Sequence, residues 1–239
     1  MSRRLIKKLS IDPVIDVIIP AYNEESSIGK VIADIPNKLV RDIIVCNNAS
    51  TDNTASVAIE GGATVLLAAK KGYGSACLKG LAYIHAKKDK PDIVVFLDGD
   101  YSDHPDQIPD LIKPIIERDI DMVIGSRAMG HLESGAMMPQ QIFGNWLATA
   151  LIRFFYKKNF TDLGPFRAIK YQKLLDIDMQ DPDFGWTVEM QVKAAKYKLK
   201  CTEIPVNYRK RIGVSKVSGT IKGTILAGHK IIWTIFKLL

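Results

Sequence analysis

Asp98 and Asp100 stand two residues apart, directly after the apolar, β-branched run Ile93-Val94-Val95-Phe96-Leu97. At a strand end both carboxylates can turn toward one site, and Gly99 between them permits the chain to break direction. Hard divalent cations take carboxylate oxygens and readily share their shell with a diphosphate. The competing structural role is a helix-capping turn ahead of Pro105. The same spacing recurs at Asp176-Ile177-Asp178 and Asp181-Pro182-Asp183, which read as surface turns. A second polar cluster, Tyr22-Asn23-Glu24, follows Ile18-Ile19-Pro20-Ala21. Pro20 stops a β ladder, Tyr22 can pack on a nucleobase, and its polar neighbours can read the base edge; Asn23 could equally cap a helix starting at 25. Asn47-Asn48-Ala49-Ser50-Thr51-Asp52-Asn53-Thr54 is another polar turn leading into a helix. Lys70-Lys71-Gly72-Tyr73-Gly74 sets two cations in a Gly-containing turn before a third helix, where backbone N–H groups and a lysine could hold a phosphate.

The elements that must position these residues alternate. Strands are expected at 14–19, 42–46, 63–67, 92–97 and 120–125, with helices at about 25–35, 52–60, 75–87 and 105–118, where Pro105 suits a first helical turn. Strand–helix alternation of this length predicts βαβ units and a parallel sheet, and in such sheets ligands bind at the carboxyl ends of the strands. The polar clusters fall at those ends, as does Ser126-Arg127 after the fifth run. From 139 the pattern becomes a helix (139–158), an extended piece (164–170), a helix (186–197), a strand (201–208) and a terminal helix. The organisation expected is a basic segment 1–13, one α/β domain over 14–217 (14–127 a nucleotide-binding half, 128–217 the half that shapes the acceptor side), and an amphipathic helix over 218–239.

The 239 residues are 47% hydrophobic and 25% charged, which excludes a disordered chain, a collagen and a coiled coil. Three separated cysteines, Cys46, Cys77 and Cys201, form no disulfide framework and no metal-ligand spacing, so a reducing compartment is expected. The net charge of +7 is uneven: residues 1–11 (Arg3, Arg4, Lys7, Lys8) carry +4, 193–216 carry +7 and 217–239 carry +3, leaving −7 for 12–192. Basic ends point to an anionic partner or to a solvated basic surface. Neither a signal peptide nor a spanning helix is expected. In 218–239, Lys222, His229, Lys230 and Lys237 fall within an arc of roughly 100°, so this helix could lie on lipid headgroups or pack its apolar face on the domain. Phe154, Phe155, Tyr156, Trp146 and Leu147 on the 139–158 helix could form a greasy acceptor track or core.

Taken in order, Pro20-Ala21-Tyr22-Asn23-Glu24, Ser50-Thr51-Asp52-Asn53-Thr54, Lys71-Gly72-Tyr73-Gly74, Asp98-Gly99-Asp100 and Gly125-Ser126-Arg127 resemble the motifs of family 2 glycosyltransferases of GT-A fold, a Rossmann-like, mostly parallel sheet flanked by helices. Asp162-Leu163-Gly164-Pro165-Phe166-Arg167, Trp186-Thr187-Val188-Glu189, Tyr208-Arg209-Lys210-Arg211 and Gly213-Val214-Ser215-Lys216 extend the resemblance toward the polyprenyl-phosphate (dolichyl-phosphate) sugar transferases, over about residues 14–220. It implies inverting transfer from a nucleotide-diphosphate sugar, with UDP favoured over GDP, to a polyprenyl phosphate at the cytoplasmic face of a membrane, by a peripheral enzyme. It implies that Pro20, Tyr22, Glu24, Asn47 and Asp52 line the base and ribose site with Lys71 on the donor, that Asp98 lies by the ribose or diphosphate, and that Asp100, with Asp98, holds Mg²⁺ or Mn²⁺. Arg127, Arg209, Arg211 and Lys216 would bind donor diphosphate or acceptor phosphate, and Asp162 and Glu189 would stand on the acceptor side. Two departures stand out: Asn47-Asn48 replaces the usual Asp-Asp, and Ser102 replaces a metal-liganding Gln.

A hydroxyl acceptor, on a soluble molecule or a glycan, needs a general base, for which Asp162 and Glu189 are the candidates. A phosphate acceptor needs cations instead, as Arg209, Arg211 and Lys216 provide. The structural alternatives are an i,i+4 pair of Glu189 with Lys193 and a turn at Asp162. A nucleic-acid-binding protein using the basic C-terminal third is a third reading; the acidic, motif-rich first half and the lack of a nucleic-acid module argue against it.

Overall fold

A computed structural model describes residues 12–213 and 221–239. Strands and helices alternate as β1 (Ile15–Ala21), α1 (Ile28–Asp34), β2 (Asp42–Asn47), α2 (Thr54–Glu60), β3 (Thr64–Leu67), α3 (Tyr73–Ala86), β4 (Ile93–Phe96), a 3₁₀ turn (Pro105–Gln107), α4 (Ile108–Arg118) and β5 (Met122–Ser126). The second half adds α5 (Pro139–Tyr156), β6 (Arg167–Lys170), α6 (Tyr171–Asp176), α7 (Trp186–Lys196), β7 (Cys201–Pro205) and α8 (Ile221–Lys237).

The strands form one seven-stranded sheet in the order β3-β2-β1-β4-β6-β5-β7. All neighbours are parallel except β6, which runs antiparallel between β4 and β5. Every residue of β1 is buried, because helices cover both faces and a strand in that position is largely apolar; its one charged residue, Asp16, is paired with Arg41 and Lys87. Ile15, Val17 and Ile19 share a core with α1 and α4 on one side; Ile18 shares a core with α3, α5 and α7 on the other, where Trp186 lies edge-on to Phe96. The chain crosses from β3 to β4 on the far side of β1, so strand order reverses between β1 and β4. That is the position at which an open α/β sheet leaves a crevice beyond its carboxyl ends.

Three expectations are amended. The extended piece at 164–170 narrows to β6 and enters the middle of the sheet antiparallel, and α6, unmarked in the sequence, follows it without a break. The last strand stops at Pro205, which has no N–H to continue a ladder; Tyr208 makes only an isolated bridge to Leu132. The terminal helix both packs and faces outward. Ile235 is buried and Tyr156 donates its hydroxyl to Ile235 O at 2.6 Å, while Trp233 is 55% exposed and Ile225, Leu226 and Phe236 are exposed as well. No helix among the described residues is long and apolar enough to cross a membrane.

Candidate active site

At the crevice between β1 and β4 opens a cleft of about 690 Å³. Pro20, Tyr22, Glu24, Lys71, Asp98, Asp100, Arg127 and Arg211 all line it, so eight of the residues singled out in the sequence converge on one place. Asn47, Asp52, Asp162, Glu189 and Arg209 lie elsewhere, each for a visible reason.

The acidic pair is set by the turn after β4. Asp98 accepts the Tyr73 hydroxyl at 3.0 Å. Asp100 is buried; its Oδ1 accepts the Ser102 N–H at 2.9 Å, and its Oδ2 pairs with the Arg211 guanidinium. Ser102 therefore orients Asp100 and does not itself line the cleft. Gly99 is not the hinge: a Cβ there would have ordinary van der Waals room, its nearest neighbours lying at 3.5 Å. The left-handed residue is Tyr101, with φ at 65°. Arg209 holds it, stacking 3.4 Å from the ring centroid and donating to Tyr101 O at 2.7 Å and Asp103 O at 3.0 Å. Arg209 thus clamps the turn that aims Asp100 instead of facing the cleft.

Asp103, which sequence reasoning passed over, completes an acidic cluster. It is buried, its Oδ2 accepts the Asp98 N–H at 3.3 Å, and its Oδ1 has no partner among the described residues. Burial, then the charges of Asp98 and Asp100, push its carboxyl well above the ordinary range. Burial and the neighbouring Asp100 likewise push Asp98 up to about 7. Both shifts have the same origin, carboxylates crowded together with too little positive charge.

Asp162 and Arg127 form a two-point ion pair, Nη2 to Oδ1 at 2.6 Å and Nε to Oδ2 at 2.8 Å, and the Arg127 N–H also donates to Oδ2 at 2.7 Å. Asp162 is 1% exposed. Both its oxygens are committed to holding Arg127 at the cleft wall, an arrangement that leaves nothing to take a proton from an acceptor. Glu189 is also buried, away from the cleft. It makes the i,i+4 pair with Lys193 at 2.8 Å and accepts the N–H groups of Gln180 at 3.0 Å and Asp181 at 2.7 Å. Neither carboxylate stands where the general-base reading needs one.

The polar turns interlock. Asn23 is left-handed, with φ at 54°, and accepts the Thr51 N–H at 2.8 Å, while the Glu24 N–H donates to Thr54 Oγ1 at 2.7 Å. The helix-capping position of α1 belongs to Ser27. Asp52 accepts from Thr54 and from the Glu25 N–H, outside the cleft lining. Asn47 accepts the Ser50 N–H at 3.0 Å and is likewise not exposed to the cleft; Asn48 is the residue that lines it. The amide at 48 has a structural reason. It donates to Ala68 O and Lys70 O and accepts the Gly72 N–H, a set that a carboxylate cannot complete.

The glycine turn also differs from the phosphate-cradle expectation. The Gly72 N–H is taken by Asn48, and the Ser75 N–H by Pro182 O at 2.7 Å. Gly72 has φ at 133°, and a Cβ at Gly74 would lie 1.9 Å from Asp181 O. These glycines admit the 181–185 segment against the start of α3. Gly74→Ala should therefore expel that segment and lower thermal stability by several degrees, since overpacking a tight contact costs about 1–3 kcal/mol; a melting curve superimposable on wild type would refute the contact. Lys71 remains at the rim, 5.5 Å from the Tyr22 ring centroid. Lys216 and the N-terminal basic residues Arg3, Arg4, Lys7 and Lys8 lie outside the described residues.

Beside the cleft, α5 and α8 present an apolar face. Trp146 is 61% exposed and stacks near Phe143, and Ile142 and Phe154 are also exposed. Phe155 instead packs on Phe236 of α8, and Leu147 and Tyr156 are half-buried. Gly144 and Asn145 of α5, and Ala227, Gly228 and Ile231 of α8, line the cleft wall, so both helices border the opening.

Comparison with known proteins gives concordant likenesses. The model of the family described as glycosyl transferase family 2 matches residues 16–177. An uncharacterized glycosyltransferase of Mycobacterium tuberculosis is 33% identical over 215 residues, covering 89% of this chain and 94% of its own length. The undecaprenyl-phosphate mannosyltransferase of Micrococcus luteus is 29% identical over 223 residues, covering 86% and 88%. Among solved structures, glucosyl-3-phosphoglycerate synthase from Mycobacterium tuberculosis, in complex with Mn²⁺, UDP and glucosyl-3-phosphoglycerate, has a TM-score of 0.76 at 23% identity, covering 95% of this chain and 80% of that one. At that identity the likeness establishes the shared GT-A fold.

Proposed function

Because the chain belongs to glycosyl transferase family 2, we propose that it moves a hexose from a nucleotide-diphosphate sugar, a UDP-sugar in preference to a GDP-sugar, to a polyprenyl phosphate. The observation that carries this reading is the acidic cluster after β4, facing a cleft whose lining also holds Lys71 and Arg211. Tyr22 and Glu24, with Pro20 and Asn48, take the base and ribose. Lys71 and Arg211 face the diphosphate. Arg127, fixed by Asp162, presents positive charge to the acceptor phosphate.

The residues fit a divalent cation. No three His, Cys, Asp or Glu side chains among the described residues form a ready cage. Asp98 and Asp100 nonetheless offer carboxylate oxygens beside the unpartnered Asp103 Oδ1, with too little protein charge to balance them. Mg²⁺ or Mn²⁺ commonly takes one or two carboxylates and fills its shell with phosphate oxygens and water. Bound there, such an ion neutralises the charge that grows on a departing diphosphate. Arg211, which pairs with Asp100, is free to turn to the same diphosphate once that carboxylate has another partner.

Three features support a lipid-phosphate acceptor. Asp162 and Glu189 are both committed to internal partners, and an already anionic acceptor needs no base. The undecaprenyl-phosphate mannosyltransferase likeness points the same way. The exposed aromatic residues of α5 and α8, the helices that border the cleft, suit a lipid-borne acceptor and peripheral attachment to the cytoplasmic face of a membrane. The test is nucleotide release from a panel of UDP- and GDP-sugars with Mn²⁺, with and without undecaprenyl phosphate in detergent. Release from a UDP-sugar, stimulated at least about tenfold by the lipid phosphate and abolished by EDTA, is expected. Release stimulated only by a water-soluble acceptor, or no release from any donor, would overturn the reading.

A further inference from the structure

We infer that Asp183 is the residue by which the cleft recognises the hydroxyl groups of the transferred sugar; the inference rests on the donor reading above and adds a specificity residue to it. Asp183 lines the same cleft as Asp98 and Arg211, on the segment between α6 and α7. That segment is held from three directions. Pro182 O accepts the N–H of Ser75 at 2.7 Å and its hydroxyl at 3.0 Å. Asp181 Oδ1 accepts the N–H groups of Asp183 at 2.8 Å and Gly185 at 3.2 Å, and its Oδ2 pairs with Lys230 of α8 at 2.9 Å. Glu189 takes the N–H groups of Gln180 and Asp181.

The backbone at 183 is thus fixed by other groups, and its carboxylate is left for the cleft. Among the described residues no lysine or arginine pairs with Asp183. Lys230, whose charge it feels, is engaged by Asp181. Burial and the charge of Asp181 hold it above the ordinary carboxylate range. A carboxylate without a cation repels phosphate and attracts neutral O–H donors, with which it forms charge-assisted hydrogen bonds. Gln140 and Thr187, neutral hydrogen-bonding residues, line the same cleft. The charges therefore divide the labour: Lys71, Arg211 and the acidic pair for the diphosphate, Asp183 for a polyhydroxylated, uncharged group.

The test compares sugar nucleotide with free nucleotide. Affinities of wild type, Asp183→Ala and Asp183→Asn for UDP-glucose and for UDP are measured by calorimetry with Mn²⁺, with GDP-mannose and GDP substituted should the donor panel select them. Asp183→Ala should weaken the sugar nucleotide about tenfold, the scale of one hydrogen bond to a charged group. Free diphosphate should bind within about twofold of wild type, which also certifies the fold. Asp183→Asn keeps an acceptor oxygen and should fall between. Equal weakening of both ligands, no weakening of either, or a fall in turnover at unchanged donor affinity would overturn the assignment. Failure of wild type to bind any sugar nucleotide would instead overturn the donor reading itself.

Discussion

Asp100→Asn is expected to lower turnover of the nucleotide sugar by at least about 10²-fold, with little change in the melting temperature. The substitution keeps the shape of a buried side chain and leaves an amide oxygen for the Ser102 N–H, so the turn after β4 should persist. What it removes is a negative charge from the acidic cluster after β4, beside Asp98 and Asp103. Loss of one such contact to charge developing in a transition state costs on the order of 3 kcal/mol, which is about two decades in rate. Arg211 would face an amide in place of its carboxylate, but it is part-exposed and can turn to solvent. Initial rates with saturating Mn²⁺, alongside a thermal melt, separate the two effects; a fully active variant would remove Asp100 from the chemistry.

Asp162→Ala should do the opposite, destabilising the fold before it says anything about catalysis. Arg127 has a 12% exposed side chain and Asp162 is its two-point partner. Removing one member of a buried ion pair strands the other charge, at a cost of about 3–5 kcal/mol. For a chain of this size that corresponds to a fall of roughly 6–20 °C in melting temperature. The double variant Arg127→Met/Asp162→Leu should recover much of the loss, because no charge is then left without a partner. If Asp162 were the general base instead, the single variant would melt like wild type and lose turnover alone. The two outcomes are separated by a melting curve, before any assay.

Much of the architecture was legible because parallel strands buried on both faces read as nearly unbroken apolar runs. The runs at 43–46 and 93–97, and that at 15–19 with Asp16 as its one interruption, announce themselves, and each is followed by a polar turn that the sheet carries to the same edge. β6 did not, since four residues beginning with Arg167 carry little local signal and their place depends on partners in β4 and β5. The same contrast holds in the site. Asp98 and Asp100 were legible from their position after β4, whereas Asp181 and Asp183, with identical spacing, read as a surface turn. Their real setting comes from Gly72, Gly74 and Ser75, more than a hundred residues away. Asp162 and Glu189 had the right chemical type for a base; the pair of Glu189 with Lys193 was legible as an i,i+4 spacing, but only the folded chain reveals that the carboxylates are spent on Arg127 and on the 180–181 backbone. Asn48 reads as an altered motif in the sequence and as a three-way backbone clamp in the fold.

The central claim is that the acidic cluster after β4 grips a diphosphate through a divalent cation. Titrating UDP into wild type and Asp100→Asn by calorimetry, with and without Mn²⁺, bears on it most directly. The account predicts that the metal tightens UDP binding to wild type by at least about tenfold and that the variant loses this gain. Equal UDP affinity in the presence and absence of metal, or the same gain in the variant, would contradict it.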